Sequence, residues 1–247
     1  MNDTSTLDTS PQTPPTPVAA RGWVTDAPTR MFHWLFALSF LIAYLSADAE
    51  GWRRLHVTMG YTFGGLLAFR LLYGWLGPKP LGWGPLKRKV AGVGPWLKTW
   101  VQPGVRVNWR QGQNVALATS IAVMLVMVAP LVLTGYGFYQ EWAGHWLKEV
   151  HEWLGTVLLW AVLAHVGLLL VLSLVRRQNQ ALPMLTGRSP LAGPGPIKKR
   201  RRWLACLVLA AVLGFVVMQW QDSPYGLLPG PGDRAESMYP SYLNNGN

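Results

Sequence analysis

Four of the five histidines stand where they could hold a metal in pairs. His151 and His165 are fourteen residues apart. On a helix that turns ~100° and rises ~1.5 Å per residue, both lie on nearly one face, separated by ~21 Å. His33 and His56 belong to two earlier apolar segments, and His145 to the connection ahead of His151. A single histidine in an apolar helix is as readily a hydrogen-bonded structural group or a proton relay as a ligand. Two pairs at two depths imply a sharper chemistry: two six-coordinate sites, each taking one imidazole from each of two helices. Zinc gathers three or four ligands in one place, which pairs this far apart do not provide.

The pairing depends on the helices that carry these side chains. Blocks 31–47, 55–76, 114–139, 153–175 and 203–221 contain no Asp, Glu or Lys, and Arg70 is their only arginine. About 20 such residues cross the ~30 Å hydrocarbon core, and in lipid they must be helical because only a helix satisfies its own backbone. The sequence therefore predicts five spanning helices. Seven Lys and Arg lie between the second and third blocks, and eight between the fourth and fifth, with no acidic residue in either stretch. The opposite connections are short and mixed in charge, with Asp48, Glu50, Arg53 and Arg54 in one and Glu141, Lys148, Glu149 and Glu152 in or around the other. The positive-inside rule then places both basic loops and the N-terminus in the cytoplasm and the C-terminus outside. In that topology His56 and His151 share a shallow outer depth, and His33 meets His165 at the inner side. Haem iron takes two axial imidazoles in this way, and bundle cores are where such cofactors sit.

Half of the 247 residues are hydrophobic and 13% are charged, about half the charged share of a soluble domain. The net charge of +11 follows membrane topology and does not point to nucleic acid. The lone Cys206 allows no disulfide within the chain, and no CxxCH motif is present to attach a haem covalently. Residues 1–22, rich in Thr, Pro, Ser and Asp with no apolar core, are expected to form a disordered cytoplasmic tail and not a cleaved signal peptide. Asp26 and Pro28 mark the start of the first helix. Five prolines and four tryptophans in 77–113 suggest a membrane-hugging loop with short helical pieces. Pro130 predicts a kink in the third helix.

Small and charged residues add detail. His56 and His151 begin the matching fragments HVTMG and HEWLG, so Gly60 and Gly155 fall one turn from each histidine. A flat macrocycle needs such a side-chain-free patch, although helix packing through small residues also explains glycine there. Gly64 and Gly65 continue the stripe. Arg70 is fourteen residues after His56, at the depth of His33 and His165. It could meet a haem propionate or a quinone oxygen, or snorkel to the nearby interface. Arg30 is a weaker candidate of the same kind.

The fragments TRMFHWLFALSF, HVTMGYTFGGLLAFRLLYGWLGP and VHEWLGTVLLWAVLAHVGLLL resemble the bacterial cytochrome b561 and nickel–iron hydrogenase cytochrome b superfamily over roughly residues 23–178. The resemblance implies an all-α four-helix membrane bundle with two haem b groups, pairing His33 with His165 and His56 with His151. It also implies electron exchange between quinone and a redox partner. The chain departs from hydrogenase cytochromes in its short 48–54 loop, and from the smallest four-helix members in its fifth helix, 203–221, and external tail, 222–247. His145 matches no ligand position and is read as a surface residue.

The expected organisation is a tail (1–22), a di-haem bundle (23–178), a basic cytoplasmic loop (179–202), a fifth transmembrane helix (203–221) and a periplasmic tail (222–247). The fifth helix is expected to be dispensable for haem binding. The tail, with Tyr225, Met238, Tyr239, Pro240 and Tyr242, is placed to touch a partner. The function so implied is an electron-transfer subunit of the bacterial inner membrane, linking a periplasmic redox protein (a cytochrome c or an oxidoreductase's catalytic subunit) to the quinone pool. Two other functions fit the same residues: direct chemistry on a small substrate such as superoxide at the outer haem, and a non-redox transporter or assembly subunit with structural histidines.

Overall fold

A computed structural model of the chain describes residues 22–48, 50–189, 195–223 and 225–229. Within them the regular elements are helical, apart from one isolated bridge between Trp23 and Arg188. The expected contacts of Met238, Tyr239, Pro240 and Tyr242, and the expected disorder of the N-terminal tail before residue 22, lie outside the described residues.

Local chemistry sets the helix ends. The side chain of Asp26 accepts from the Thr29 N–H at 3.2 Å and caps α1 (Ala27–Leu45), with proline in its first turn. Helix α2 (Arg53–Leu76) stops at Gly77, just before Pro78. The basic stretch that follows forms the short helices α3 (Trp83–Ala91) and α4 (Val93–Val101). Asn108 then caps α5 (Trp109–Tyr139), accepting from the Gln111 N–H at 3.0 Å. Pro130 lies inside α5 without ending it. Helix α6 (Trp146–Val175) is followed by a single turn, α7 (Leu182–Leu185), and then α8 (Arg202–Gln221).

Two antiparallel hairpins, α1–α2 and α5–α6, make the body and are joined by packing of α2 on α5. Phe63 and Leu67 of α2, Val128 and Leu131 of α5, and Leu154 and Leu158 of α6 form one buried cluster. Val128 and Leu158 are almost completely enclosed. Helices α5, α6 and α8 are each long and apolar enough to cross a membrane. The α1 and α2 helices, of 19 and 24 residues, carry Arg30 and His33, and Arg53, Arg54, His56 and Arg70.

Helix α8 lies against the first hairpin. Val208 joins Phe32 of α1 and Leu66 of α2 in a second buried cluster. The segment leading into α8 holds the residues at the entry to α1: Ile197 N–H donates to the Trp23 carbonyl at 3.1 Å and Ala27 N–H to the Arg200 carbonyl at 3.2 Å. The fifth helix is therefore packed on the first hairpin. Val208→Asp should lower stability by about 3 kcal/mol, the cost of a carboxylate amid apolar helices, while exposed Cys206→Ser should leave it unchanged. Thermal melting of the detergent-purified protein is the check, and equal midpoints for the two variants would place α8 off the bundle.

Candidate functional site

His56 and His151 face each other from α2 and α6, with ring centroids 6.0 Å apart and ring planes at 83°. His56 Nδ1 donates to the Ala43 carbonyl of α1 at 2.8 Å. His151 Nδ1 donates to the Leu131 carbonyl of α5 at 3.0 Å. A carbonyl can only accept, so each ring carries a proton on Nδ1, and in the neutral ring the Nε2 lone pair is the one left to bind a metal. A metal–imidazole bond of about 2.0–2.1 Å, plus about 1 Å from nitrogen to ring centre, puts two rings on opposite sides of one ion about 6 Å apart.

At the basic end, His165 of α6 uses the same device. Ser120 of α5 gives its hydroxyl hydrogen to the Leu117 carbonyl at 2.9 Å, so its oxygen accepts from His165 Nδ1 at 3.0 Å. His33 of α1 lies within electrostatic reach of His165, and its Nδ1 is buried with no partner. Between the two histidine levels lies the cluster of Phe63, Leu67, Val128, Leu131, Leu154 and Leu158. Among the described residues, no three His, Cys, Asp or Glu come together.

The glycines divide by role. A methyl group built at Gly60 or Gly65 would meet nothing within 4 Å, and at Gly155 only a Leu131 methyl at 4.0 Å. Open space thus lies one turn from each histidine of the His56–His151 pair. Gly64 differs, since a methyl there would fall 2.9 Å from Val132. It serves the packing of α2 on α5.

Arg70 turns toward the basic end, donating from one terminal nitrogen to the Leu81 carbonyl at 3.1 Å and standing over the Trp83 ring at 5.1 Å. Its anionic neighbour is Asp26, just ahead of the first apolar block. Asp26 is 1% exposed and also accepts from the Tyr73 hydroxyl, tying α1 to α2. The other terminal nitrogen of Arg70 and Nε of Arg30 are buried without partners. His145 sits exposed at the start of α6, away from both pairs.

Sequence reasoning gave α5 no part in the site, yet it supplies Ser120 and the Leu131 carbonyl. Ser120 was visible only as a hydroxyl in an apolar block, and a carbonyl acceptor leaves no residue signature. Gly135 also escaped notice, because it matters through its contact with a histidine sixteen positions later.

Residues 24–187 match the family described as prokaryotic cytochrome b561. The chain belongs to this family of haem-binding proteins of membrane electron transport. Searches among curated proteins and among solved structures returned no match.

A methyl at Gly135 would stand 2.7 Å from Cε1 and 2.9 Å from Nδ1 of His151, too close for the ring to keep its place. Gly135→Ala is therefore expected to break the bond to Leu131 and, where His151 holds haem, to weaken haem retention by about tenfold, the scale of an outer-shell defect. A haem content and reduced spectrum identical to wild type would argue against His151 as a ligand.

Proposed function

We propose that the chain carries electrons between a periplasmic redox protein and the quinone pool through two haem b groups. His56 and His151 would hold the outer haem, and His33 and His165 the inner one. The observation that carries this reading is the His56–His151 pair: two rings at 6.0 Å, each with its proton turned away to a backbone carbonyl. That arrangement leaves two lone pairs for a single ion, and the open space beside Gly60 and Gly155 suits a flat ring. The inner pair is supported by the Ser120–His165 bond and by the nearness of His33 to His165.

When bound, the haem iron would supply one-electron oxidation and reduction. The protein's own part is orientation, charge and exclusion of water. Carbonyl and hydroxyl acceptors fix the imidazole tautomers and make the ligands more basic. The packed layer around Val128 and Leu158 keeps water out of the space between the two levels. The free donors of Arg70 and Arg30 lie at the basic end and suit an anionic oxygen, a haem propionate or a reduced quinone. Five membrane crossings with the basic loops inside accord with the charge distribution and place the two histidine levels near opposite faces.

Purified protein should contain two acid–acetone-extractable haems per chain. His33→Ala and His165→Ala should remove one spectral component, and His56→Ala and His151→Ala the other. Loss of the same component from His33→Ala and His56→Ala would overturn the pairing.

Arg70 offers a separate test. Removing a positive charge beside an iron that gains charge on oxidation favours the oxidised form. Arg70→Leu should therefore lower the inner haem's midpoint potential, on the order of 60 mV for a tenfold shift in a one-electron equilibrium. A redox titration with both potentials unmoved would assign Arg70 to the Leu81–Trp83 contact alone.

A further inference from the structure

Four guanidinium groups converge at the basic end from three separate parts of the chain. Arg200 stands 3.5 Å from the centroid of the Trp23 ring, and Arg188 stands 5.0 Å from it. Arg30 reaches the same place from α1, with one terminal nitrogen 2.9 Å from where a methyl on Gly187 would lie. Arg200 is close enough to Arg30, Arg188 and Arg202 to be repelled by all three. The backbone locks this arrangement. Val24 N–H donates to the Gly187 carbonyl at 2.9 Å, Ser189 N–H to the Gly22 carbonyl at 2.9 Å, and Ile197 N–H to the Trp23 carbonyl at 3.1 Å.

Like charges held together in this way disfavour the fold unless an anion offsets them. The carboxylate of Asp26 is buried and already bonded to Thr29 and Tyr73. Among the described residues the only ion pair is Lys148 with Glu152, at the opposite end of the bundle. Arg188 and Arg202 are exposed, so the cluster opens outward. It also sits where α1 and α8 begin, above outward-facing apolar side chains. Trp203 and Leu207 of α8 are 69% and 58% exposed, and Trp34 and Leu38 of α1 are 49% and 52% exposed.

We propose that Arg188, Arg200 and Arg202, with Arg30 at the inner edge, form a binding site for the phosphodiester headgroup of an anionic phospholipid. Guanidinium groups match phosphate oxygens two at a time. The exposed Trp and Leu side chains below the cluster suit acyl chains, which a free phosphate lacks. Basic clusters just beyond membrane helices attract such lipids at about 1 kcal/mol per charge. The site does not depend on the histidine pairing, and Arg30 is the one residue it shares with the anionic-oxygen site proposed above.

Native mass spectrometry of the full chain in detergent, with phosphatidylglycerol and phosphatidylcholine of the same acyl length, tests this directly. Wild type should retain phosphatidylglycerol in preference. The Arg188→Gln/Arg200→Gln variant should retain it about 30-fold more weakly, while Lys87→Gln/Lys89→Gln in α3, with the same change in charge, should stay within about twofold of wild type. Equal loss in both variants, or no loss in the first, overturns the site. Displacement of phosphatidylglycerol by millimolar inorganic phosphate would show a free-phosphate site and overturn the lipid assignment. If the arginine variant fails to fold, wild type decides alone: phosphatidylglycerol retention must fall as salt rises from about 0.1 M to 1 M, and a salt-independent preference rejects the proposal.

Discussion

In a medium without water, every buried N–H and O–H must find its acceptor within the protein. That requirement shapes most of the polar structure of this chain. Ser46, Thr62 and Ser173 return their hydroxyl hydrogens to carbonyls one turn back on their own helices. Three of the histidines obey the same rule by reaching across to a neighbouring helix. His56 uses Ala43, His151 uses Leu131 and His165 uses Ser120. Satisfying one ring nitrogen in this way leaves the other for the ligand role proposed above, so one constraint serves both packing and the proposed chemistry.

The helix arrangement follows from where those acceptors lie. The α1–α2 hairpin brings Ala43 to His56, and the α5–α6 hairpin brings Leu131 and Ser120 to His151 and His165. The hairpins meet through α2 and α5 around Phe63, Leu67, Val128 and Leu131. At the basic end, Asp26 caps α1 and takes the hydroxyl of Tyr73, so one carboxylate sets both the start of α1 and the position of α2. Residues 187–189 and 197–200 close that end by holding Gly22 to Ala27.

Features that depend on periodicity and composition could be read from the chain alone. The apolar blocks located the long helices, the His151–His165 spacing showed that both share a face of α6, and Asp26 with Pro28 marked the start of α1. What escaped depends on contacts between distant segments. Ser120, Gly135 and the carbonyls of Ala43 and Leu131 have no signature of their own, because their role comes from the side chain that happens to meet them. Arg70 was legible as costly but not as solved, since Asp26, Leu81 and Trp83 come to it only once α2 ends and the chain turns back. The Gly60–Gly64–Gly65 stripe looked uniform in sequence, whereas Val132 against Gly64 divides it into packing and open space. The packing of α8 on Phe32 and Leu66 was likewise invisible, since nothing in 203–221 names the face it covers.

His151 and His165 belong to one uninterrupted helix, and this imposes a mechanical condition on the molecule. Helix α6 acts as a rigid bar with a fixed ruling of ~21 Å. A tilt or a piston-like slide of that bar displaces both rings at once, in a ratio set by the pivot. A bilayer thinner or thicker than the helix asks for such a tilt. Lipid thickness therefore reaches both histidine levels together, and neither can be retuned by moving α6 without detuning the other.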